Sequence, residues 1–209
     1  MSMEQFYKGD RFCISTDGVT AEKSDWKTSR RMKYYPERDI EAVAGETDEL
    51  TAWKILRDVA LQASKSGTPI SPSHVFIDGS DFVLSEWSES LDPRFVAPEG
   101  YSEVWALAAT VFYVFLGCHV FQGLGGRGQT PASPIPVLRK NLTELSTLIV
   151  RCLDFNPELR PSLTEIAELA DSSIKRCRGV RNELPRKNIY NPNKVTADEI
   201  DSFWPEEMC

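Results

Sequence analysis

Histidine and cysteine side chains can do acid–base, nucleophilic and metal chemistry near neutral pH. This chain of 209 residues has two histidines, His74 and His119, and five cysteines. The cysteines are widely spaced and form no C-x-x-C pair, so neither a zinc site nor a disulfide framework is predicted. No Cys or Asp pattern makes either histidine a metal ligand or a triad member. Both are predicted to be core or surface residues, and Cys118 and Cys152, in apolar stretches, are predicted to be core.

A glycine-rich segment, "GLGGRG" at 123–128, could cradle a phosphate with its backbone amides. It lacks the Lys-Ser/Thr that a Walker loop requires, and it follows an apolar helical stretch. The surrounding residues 118–136 are rich in Gly and Pro, which opposes regular structure. We therefore predict a mobile loop here and no cofactor for the chain.

The segment "GDRFCISTDGVTAEKSDW" at 9–26 resembles a stretch of metal-dependent protein phosphatases. The resemblance implies that Asp17, before Gly18, would bind a metal ion. That family also needs several further acidic ligands on a much longer two-sheet fold, and this chain lacks them. We interpret the segment as a β-hairpin that turns at Asp17-Gly18.

Composition limits the class of partner. The net charge is −7 and the pI about 5.0, which argues against a nucleic-acid partner because phosphate binding needs clustered Lys and Arg.

The hydrophobic fraction of 41% suits one compact domain. The most apolar run, at 104–117, has 14 residues and falls short of the ~20 that span a bilayer. It predicts a buried helix, and we expect no membrane partner. Because the first ten residues lack the apolar core of a signal peptide, a reducing cytoplasm is expected.

The periodic segments predict a mainly α fold with short β-hairpins. Apolar residues at helical spacing predict a helix over 48–67, with Gly67 as its C-cap. Two short strands, 75–77 and 82–84, flank a tight turn. Helical spacing returns at 141–155.

The start of a last helix is marked by Ser162 and Glu165, which fit a capping box. In such a box the hydroxyl accepts from one free amide and the carboxylate reaches back to another. The chain then turns polar and proline-bearing from residue 179.

Three segments in order resemble the C-terminal lobe of eukaryotic-type protein kinases, over about residues 48–175. They are "VAPEG" at 96–100, "SEVWALAATVFYVFLG" at 102–117 and "CLDFNPELRPS" at 152–162. Each segment alone is a weak signal. Their shared order makes the resemblance strong.

The resemblance implies a structural ion pair between Glu99 and Arg160. It places Glu103 and Trp105 on the central helix, with Glu103 where the family usually has Asp. Removing either partner of a buried ion pair leaves the other charge unpaired, at a cost of roughly 3–5 kcal/mol.

The residues that would perform phosphoryl transfer differ from the family. A kinase needs a carboxylate for the substrate hydroxyl, metal-binding Asp and Asn residues, and a phosphate-binding Lys. The resemblance aligns Pro69 with the catalytic Asp and His74 with the metal-binding Asn. It aligns Glu86, Trp87 and Ser88 with the Asp-Phe-Gly motif.

The predicted organisation has three parts: an N-terminal β-hairpin extension at 1–46, a kinase C-lobe-like domain at 47–178, and an extended acidic and aromatic tail at 179–209. The nucleotide-binding lobe of a kinase contains a five-stranded sheet and a helix. The first 46 residues, with one evident hairpin, are too few to supply it. The N-terminal lobe is therefore predicted to be absent or replaced by the hairpin.

The resemblance implies a catalytically inactive minimal pseudokinase, similar in architecture to the kinase non-catalytic C-lobe domain. It would act as a scaffold or regulator of a protein partner, without ATP. Because Trp is enriched at binding hot spots, the candidate partner contacts are aromatic. They are Trp26, Trp87, Phe203 and Trp204.

Two alternatives stay open. The first is an atypical kinase-like nucleotide-binding enzyme in which Glu86 or Glu89 holds a metal, since a carboxylate is a hard oxygen ligand. The second is that the tail "DEIDSFWPEEMC" docks on a partner while the lobe is only its carrier.

Overall fold

The computed structural model describes most of the chain. The described residues are 3–7, 10–14, 20–24, 29–33, 35, 39–85, 91–138 and 142–183, with side chains described at 33, 35, 39–85, 91–138 and 142–178. The chain divides into two compact units, Met1–Ile174 and Lys175–Cys209.

The N-terminal region forms an antiparallel sheet in chain order. Its strands are β1 (Met3–Tyr7), β2 (Asp10–Ile14), β3 (Thr20–Ser24) and β4 (Ser29–Lys33). Strands β2 and β3 correspond to the predicted hairpin, although its turn at Asp17-Gly18 lies outside the described residues. The sheet has two more strands than the predicted hairpin, one on each side of it. The polar strand β4, "SRRMK", lacks the apolar alternation by which a strand is recognised in a sequence.

The rest of the described chain is mainly helical, as predicted. Its α-helices are α1 (Glu49–Ser66), α2 (Glu103–Leu116), α3 (Thr143–Cys152) and α4 (Leu163–Glu183). The ends of α1 follow local chemistry: the Asp48 side chain accepts from the Thr51 amide at 2.8 Å, and Gly67 ends the helix with φ of 65°. At the start of α4, the Ser162 hydroxyl accepts from the Glu165 amide at 3.1 Å. Among the described residues, no helix combines the length and apolar content that crossing a bilayer requires.

Helix α1 covers the outer edge of a second, two-stranded sheet. Its antiparallel strands are β5 (Val75–Asp78) and β6 (Asp81–Leu84). Asp58 accepts from the Phe82 amide at 3.1 Å, and Gln62 accepts from the Leu84 amide at 3.0 Å. Gln62 also donates to the Phe82 carbonyl at 2.8 Å. One turn apart on the helix, Asp58 and Gln62 therefore satisfy backbone groups that an edge strand otherwise exposes.

The predicted buried helix is α2, which lies at the centre of the core. Trp105 is fully buried, and its indole N–H donates to the Gln129 side chain at 3.0 Å. The Gln129 amide nitrogen in turn donates to the Leu153 carbonyl at 2.6 Å. Gln129 therefore joins α2 to the residue that follows α3.

The glycine-rich loop contains two short 3-10 turns, Val120–Gly123 and Gly125–Gly128. The first is irregular, because Phe121 and Gln122 have positive φ of 48° and 57°, so the prediction of no regular structure is wrong only for Gly125–Gly128. Gly126 is buried and donates its amide to the Val96 carbonyl at 2.7 Å. A Cβ at Gly126 would lie 2.2 Å from the carbonyl carbon of Ala97. Glycine is required here because two backbone segments approach closely.

The two cysteines predicted to be core differ in burial. Cys152, in α3, is buried, and burial raises the pKa of its thiol to about 12. Cys118 is exposed, so that prediction is wrong. It follows Gly117, which ends α2 with φ of 71° and turns the chain out of the buried helix.

Candidate functional site

The ion pair expected from the kinase resemblance is present between Glu99 and Arg160. Arg160 donates through both terminal nitrogens to the two carboxylate oxygens, and the bond from Nη2 to Oε2 is 3.0 Å long. The Arg160 side chain is 3% exposed and that of Glu99 is 36% exposed. The cation is therefore buried while part of the anion reaches water.

Three further acceptors surround the same guanidinium. Arg160 Nε donates to the Asp154 carbonyl at 2.8 Å, Nη1 to the Ser102 hydroxyl at 3.2 Å and Nη2 to the Phe155 carbonyl at 3.4 Å. A guanidinium has five N–H donors, and each has an acceptor here. We call Arg160 with these four acceptor residues the clamp. It joins the "VAPEG" segment, the start of α2 and the loop after α3.

The pKa of Glu99 reflects its place in the clamp. Burial alone would raise it, but the hydrogen bond and charge of Arg160, with the Glu99 amide, hold it below its usual range. Glu99 is therefore ionised whenever the protein is folded near neutral pH.

The segment at 67–75, which the resemblance aligns with a kinase catalytic loop, has no exposed acid or base at the two described positions, Pro69 and His74. Pro69 is half-buried and has no ionisable group. His74 is fully buried, and its Nδ1 lies 2.7 Å from the Ser71 hydroxyl. That hydroxyl also lies 2.8 Å from Ser73 Oγ. His74 is therefore a core histidine, one of the two roles predicted for it.

Tyr101 connects this segment to the clamp. Its hydroxyl accepts from the Ile70 amide at 2.8 Å, and Ser102 of the clamp is the next residue. Burial raises the pKa of Tyr101 above its usual range. The phenol thus stays protonated, and the two segments are held side by side.

The central-helix residues differ in exposure. Glu103 is half-buried in the first turn of α2, where a negative charge is favourable beside the free amides. Trp105 is buried, and its ring stacks on Phe121 with centroids 6.4 Å apart. Trp105 is therefore a packing residue.

The remaining predicted site residues lie outside the described residues. They are Glu86, Trp87, Ser88, Glu89, Trp26, Phe203 and Trp204. The metal-binding alternative and the four candidate partner contacts therefore stay predictions. In the described part of the chain, no three His, Cys, Asp or Glu side chains gather as metal ligands.

A second contact region joins the end of β4 to β5. Lys33 and Asp78 form an ion pair at 2.5 Å, and the Lys33 ammonium lies 5.3 Å from the centre of the Tyr35 ring. Tyr35 packs on Phe76 with centroids 5.2 Å apart. Both Lys33 and Asp78 are about half exposed, so solvent screens the two charges and the pair adds little to stability.

Asp39 is the buried carboxyl of this region, and its backbone forms an antiparallel bridge with Phe76. Burial raises its pKa to about 7, and the charge of Glu41 adds to the rise, while the amides of Glu41 and Ala42 lower it. Its protonation therefore changes near neutral pH. No sequence pattern pointed to Asp39, because its burial depends on the packing of distant segments.

Sequence reasoning also missed Gln129, Asp58 and Gln62. Gln129 lies between a glycine and a Thr-Pro pair, with no local signal for a buried bridging role. Asp58 and Gln62 do carry a signal, since polar residues four apart share one face of a helix.

No family model matches this chain, and the search of curated proteins finds no match.

Proposed function

We propose that this chain is a catalytically inactive domain, similar to a kinase C-terminal lobe, that binds a protein partner in the cytoplasm as a scaffold or regulator. The observation that carries the proposal is the state of the catalytic-loop segment. At the two described positions that the resemblance assigns to the base and to a metal ligand, the chain has a proline and a fully buried histidine.

Neither residue can replace the family's chemistry. Pro69 has no side chain that accepts a proton. His74 has no exposed surface, and a metal ligand for a bound nucleotide has to face the nucleotide.

The clamp supports the same proposal, because it concerns the residues that stabilise the fold rather than those that would transfer phosphate. Glu99 and Arg160 form the ion pair that the resemblance implies, and all five guanidinium donors are paired. A chain that keeps the residues that stabilise the lobe and lacks those that transfer phosphate fits a binding role. Neither ATP nor another cofactor is part of the proposal.

Nucleotide binding is the first test. We expect no stabilisation when the full chain is heated with ATP and either Mg²⁺ or Mn²⁺. A ligand at 100 times its dissociation constant adds about 2.7 kcal/mol to the free energy of unfolding, which would raise the melting temperature by several degrees. Transfer of labelled phosphate that Glu86→Gln abolishes would refute the proposal and support the enzymatic alternative.

Partner binding is the second test. Affinity capture from the native cell, analysed by mass spectrometry, should identify a protein retained by the wild-type chain. We expect Trp87→Ala to weaken that capture, and we use Leu61→Ala as the control because Leu61 is an exposed apolar residue on α1. Loss of capture only on truncation at about residue 185 would favour the tail as the binding element. Equal capture by every variant would contradict the proposed contacts.

A further inference from the structure

His119 lies in a fixed orientation between two aromatic rings, at a position that the proposed function does not use. Its ring stacks on Tyr113 of α2, with centroids 4.3 Å apart and planes at 9°. Phe95 meets it edge to face, with centroids 5.5 Å apart. These contacts set the direction in which each ring nitrogen points.

Arg94 determines which ring nitrogen carries the hydrogen. Arg94 Nη1 lies 2.9 Å from His119 Nε2. A guanidinium only donates hydrogen bonds, so Nε2 has to be the acceptor. The hydrogen of the neutral ring is then on Nδ1, which is buried and has no partner among the described residues.

The same guanidinium also stabilises the turn in which Arg94 lies. Arg94 Nε donates to both carboxylate oxygens of Asp92 at 3.0 Å, and Nη2 donates to Oδ2 at 2.6 Å. The Asp92 side chain also accepts from the Arg94 amide at 2.9 Å. Arg94 therefore connects the 3-10 turn Pro93–Phe95 to the residues that follow α2.

We propose that His119 is an acid-sensitive latch. Neutral, with its hydrogen on Nδ1, the ring accepts from Arg94 and fastens the Pro93–Phe95 turn to the segment after α2. A proton added at Nε2 turns that acceptor into a donor, sets two cations 2.9 Å apart, and releases the turn.

Charged and titratable groups on three elements face His119 and its neighbour Tyr113. Asp92 and Arg94 lie before and within the turn Pro93–Phe95, Asp39 and Glu41 lie before and within the 3-10 turn Ile40–Val43, and Tyr113 lies in α2. Burial and the charge of Arg94 lower the pKa of His119 below 6.5, against the opposing effect of Asp92 and Glu41. The latch is therefore closed at neutral pH and opens in acid.

The direction of the stability change follows from that shift. Because the folded pKa is lower than the unfolded value, the unfolded chain binds more protons below pH 6.5. The contribution of neutral His119 to stability is complete above that pH and is lost as the pH falls through the folded pKa.

Nitrogen NMR of the full chain labelled in histidine tests the tautomer. Only His74 and His119 contribute, and the spectrum of His119→Gln assigns the two. We expect His119 to carry its hydrogen on Nδ1 at pH 7.5 and to titrate with a midpoint below 6.5. A hydrogen on Nε2, or a midpoint above 6.5, would overturn the proposal.

Hydrogen exchange tests the latch itself. In the wild type, the protection of the Arg94 and Phe95 amides should fall about five- to tenfold as the pH drops through the His119 midpoint. His119→Gln keeps an acceptor and cannot titrate, so its protection should show no step at the His119 midpoint. His119→Phe keeps the stacking and removes the acceptor, so its protection should be low at every pH. Asp39 has a pKa of about 7 and is present in all three proteins. Its titration therefore affects all three alike, and a difference between them reports on His119. Equal pH dependence in the wild type and His119→Gln would refute the latch.

Discussion

Glu99→Gln keeps the shape of the clamp and removes one charge, so it isolates the electrostatic part of the interaction. The Arg160 guanidinium is 3% exposed, so water cannot replace the missing carboxylate. We expect the free energy of unfolding to fall by about 2–3 kcal/mol, somewhat below the 3–5 kcal/mol typical of breaking a fully buried pair. The expected loss is smaller than for a fully buried pair because Glu99 is 36% exposed and already reaches solvent.

Arg160→Met provides the matched partner for a double-mutant cycle. It removes the buried charge and keeps an apolar side chain of similar length, although it leaves the carbonyls of Asp154 and Phe155 without a side-chain donor. Once Arg160 is Met, Glu99→Gln should cost little, because the remaining carboxylate reaches water. We therefore expect a coupling free energy of about 1–3 kcal/mol between the two sites.

Urea unfolding of the four proteins at pH 7 measures the cycle. Additive losses, or a loss of less than about 0.5 kcal/mol for Glu99→Gln alone, would refute the account of a buried cation that depends on one carboxylate. The pH dependence gives an independent check. Because the pKa of Glu99 is lowered in the fold, its contribution should be complete above its ordinary value of 4.5 and should disappear as the pH falls below that value.

Three further predictions concern single residues. Thr110 is buried in α2 with no partner for its hydroxyl among the described residues, so Thr110→Val should raise the free energy of unfolding by about 1 kcal/mol in urea titrations; a loss of stability would contradict this. Gly126→Ala should lower the free energy of unfolding by about 1–3 kcal/mol, because the new Cβ would meet the Ala97 backbone at 2.2 Å. Gly67→Ala is the control: no atom lies within 4 Å of its new Cβ, so it should show only the smaller strain of its positive φ. The carboxylate of Asp39 is destabilising above its pKa of about 7, and protonation relieves this as the pH falls towards 4. Asp39→Asn should therefore be more stable than the wild type at pH 8 by roughly 1 kcal/mol, with the difference shrinking by pH 5 in thermal melts; a difference that does not depend on pH would contradict the assignment.

The helices were predictable because their signals are local. The apolar periodicity and Gly67 predicted α1, which spans Glu49–Ser66, and the apolar run predicted the burial of α2. The hairpin of β5 and β6 followed from a turn with glycine between two short apolar runs. Such features depend on residues within a few positions of one another, so the sequence contains them directly.

The candidate site was predictable only in part. The pairing of Glu99 with Arg160 followed from the kinase resemblance, since no local pattern relates two residues 61 positions apart. The three other acceptors of the clamp were not predicted. The sequence left His74 open between core and surface, and its complete burial depends on the packing of the folded chain.

The sequence by itself determined the mainly helical class, the ends of α1 and the absence of an acid at position 69. Only the tertiary structure decided that Gln129 joins α2 to Leu153, that Gly126 lies against the Ala97 backbone, and that Arg94 selects the hydrogen position on His119. The physical reason is that these contacts bring together segments far apart in the chain. Their energies depend on burial and donor geometry, which exist only once those segments have packed.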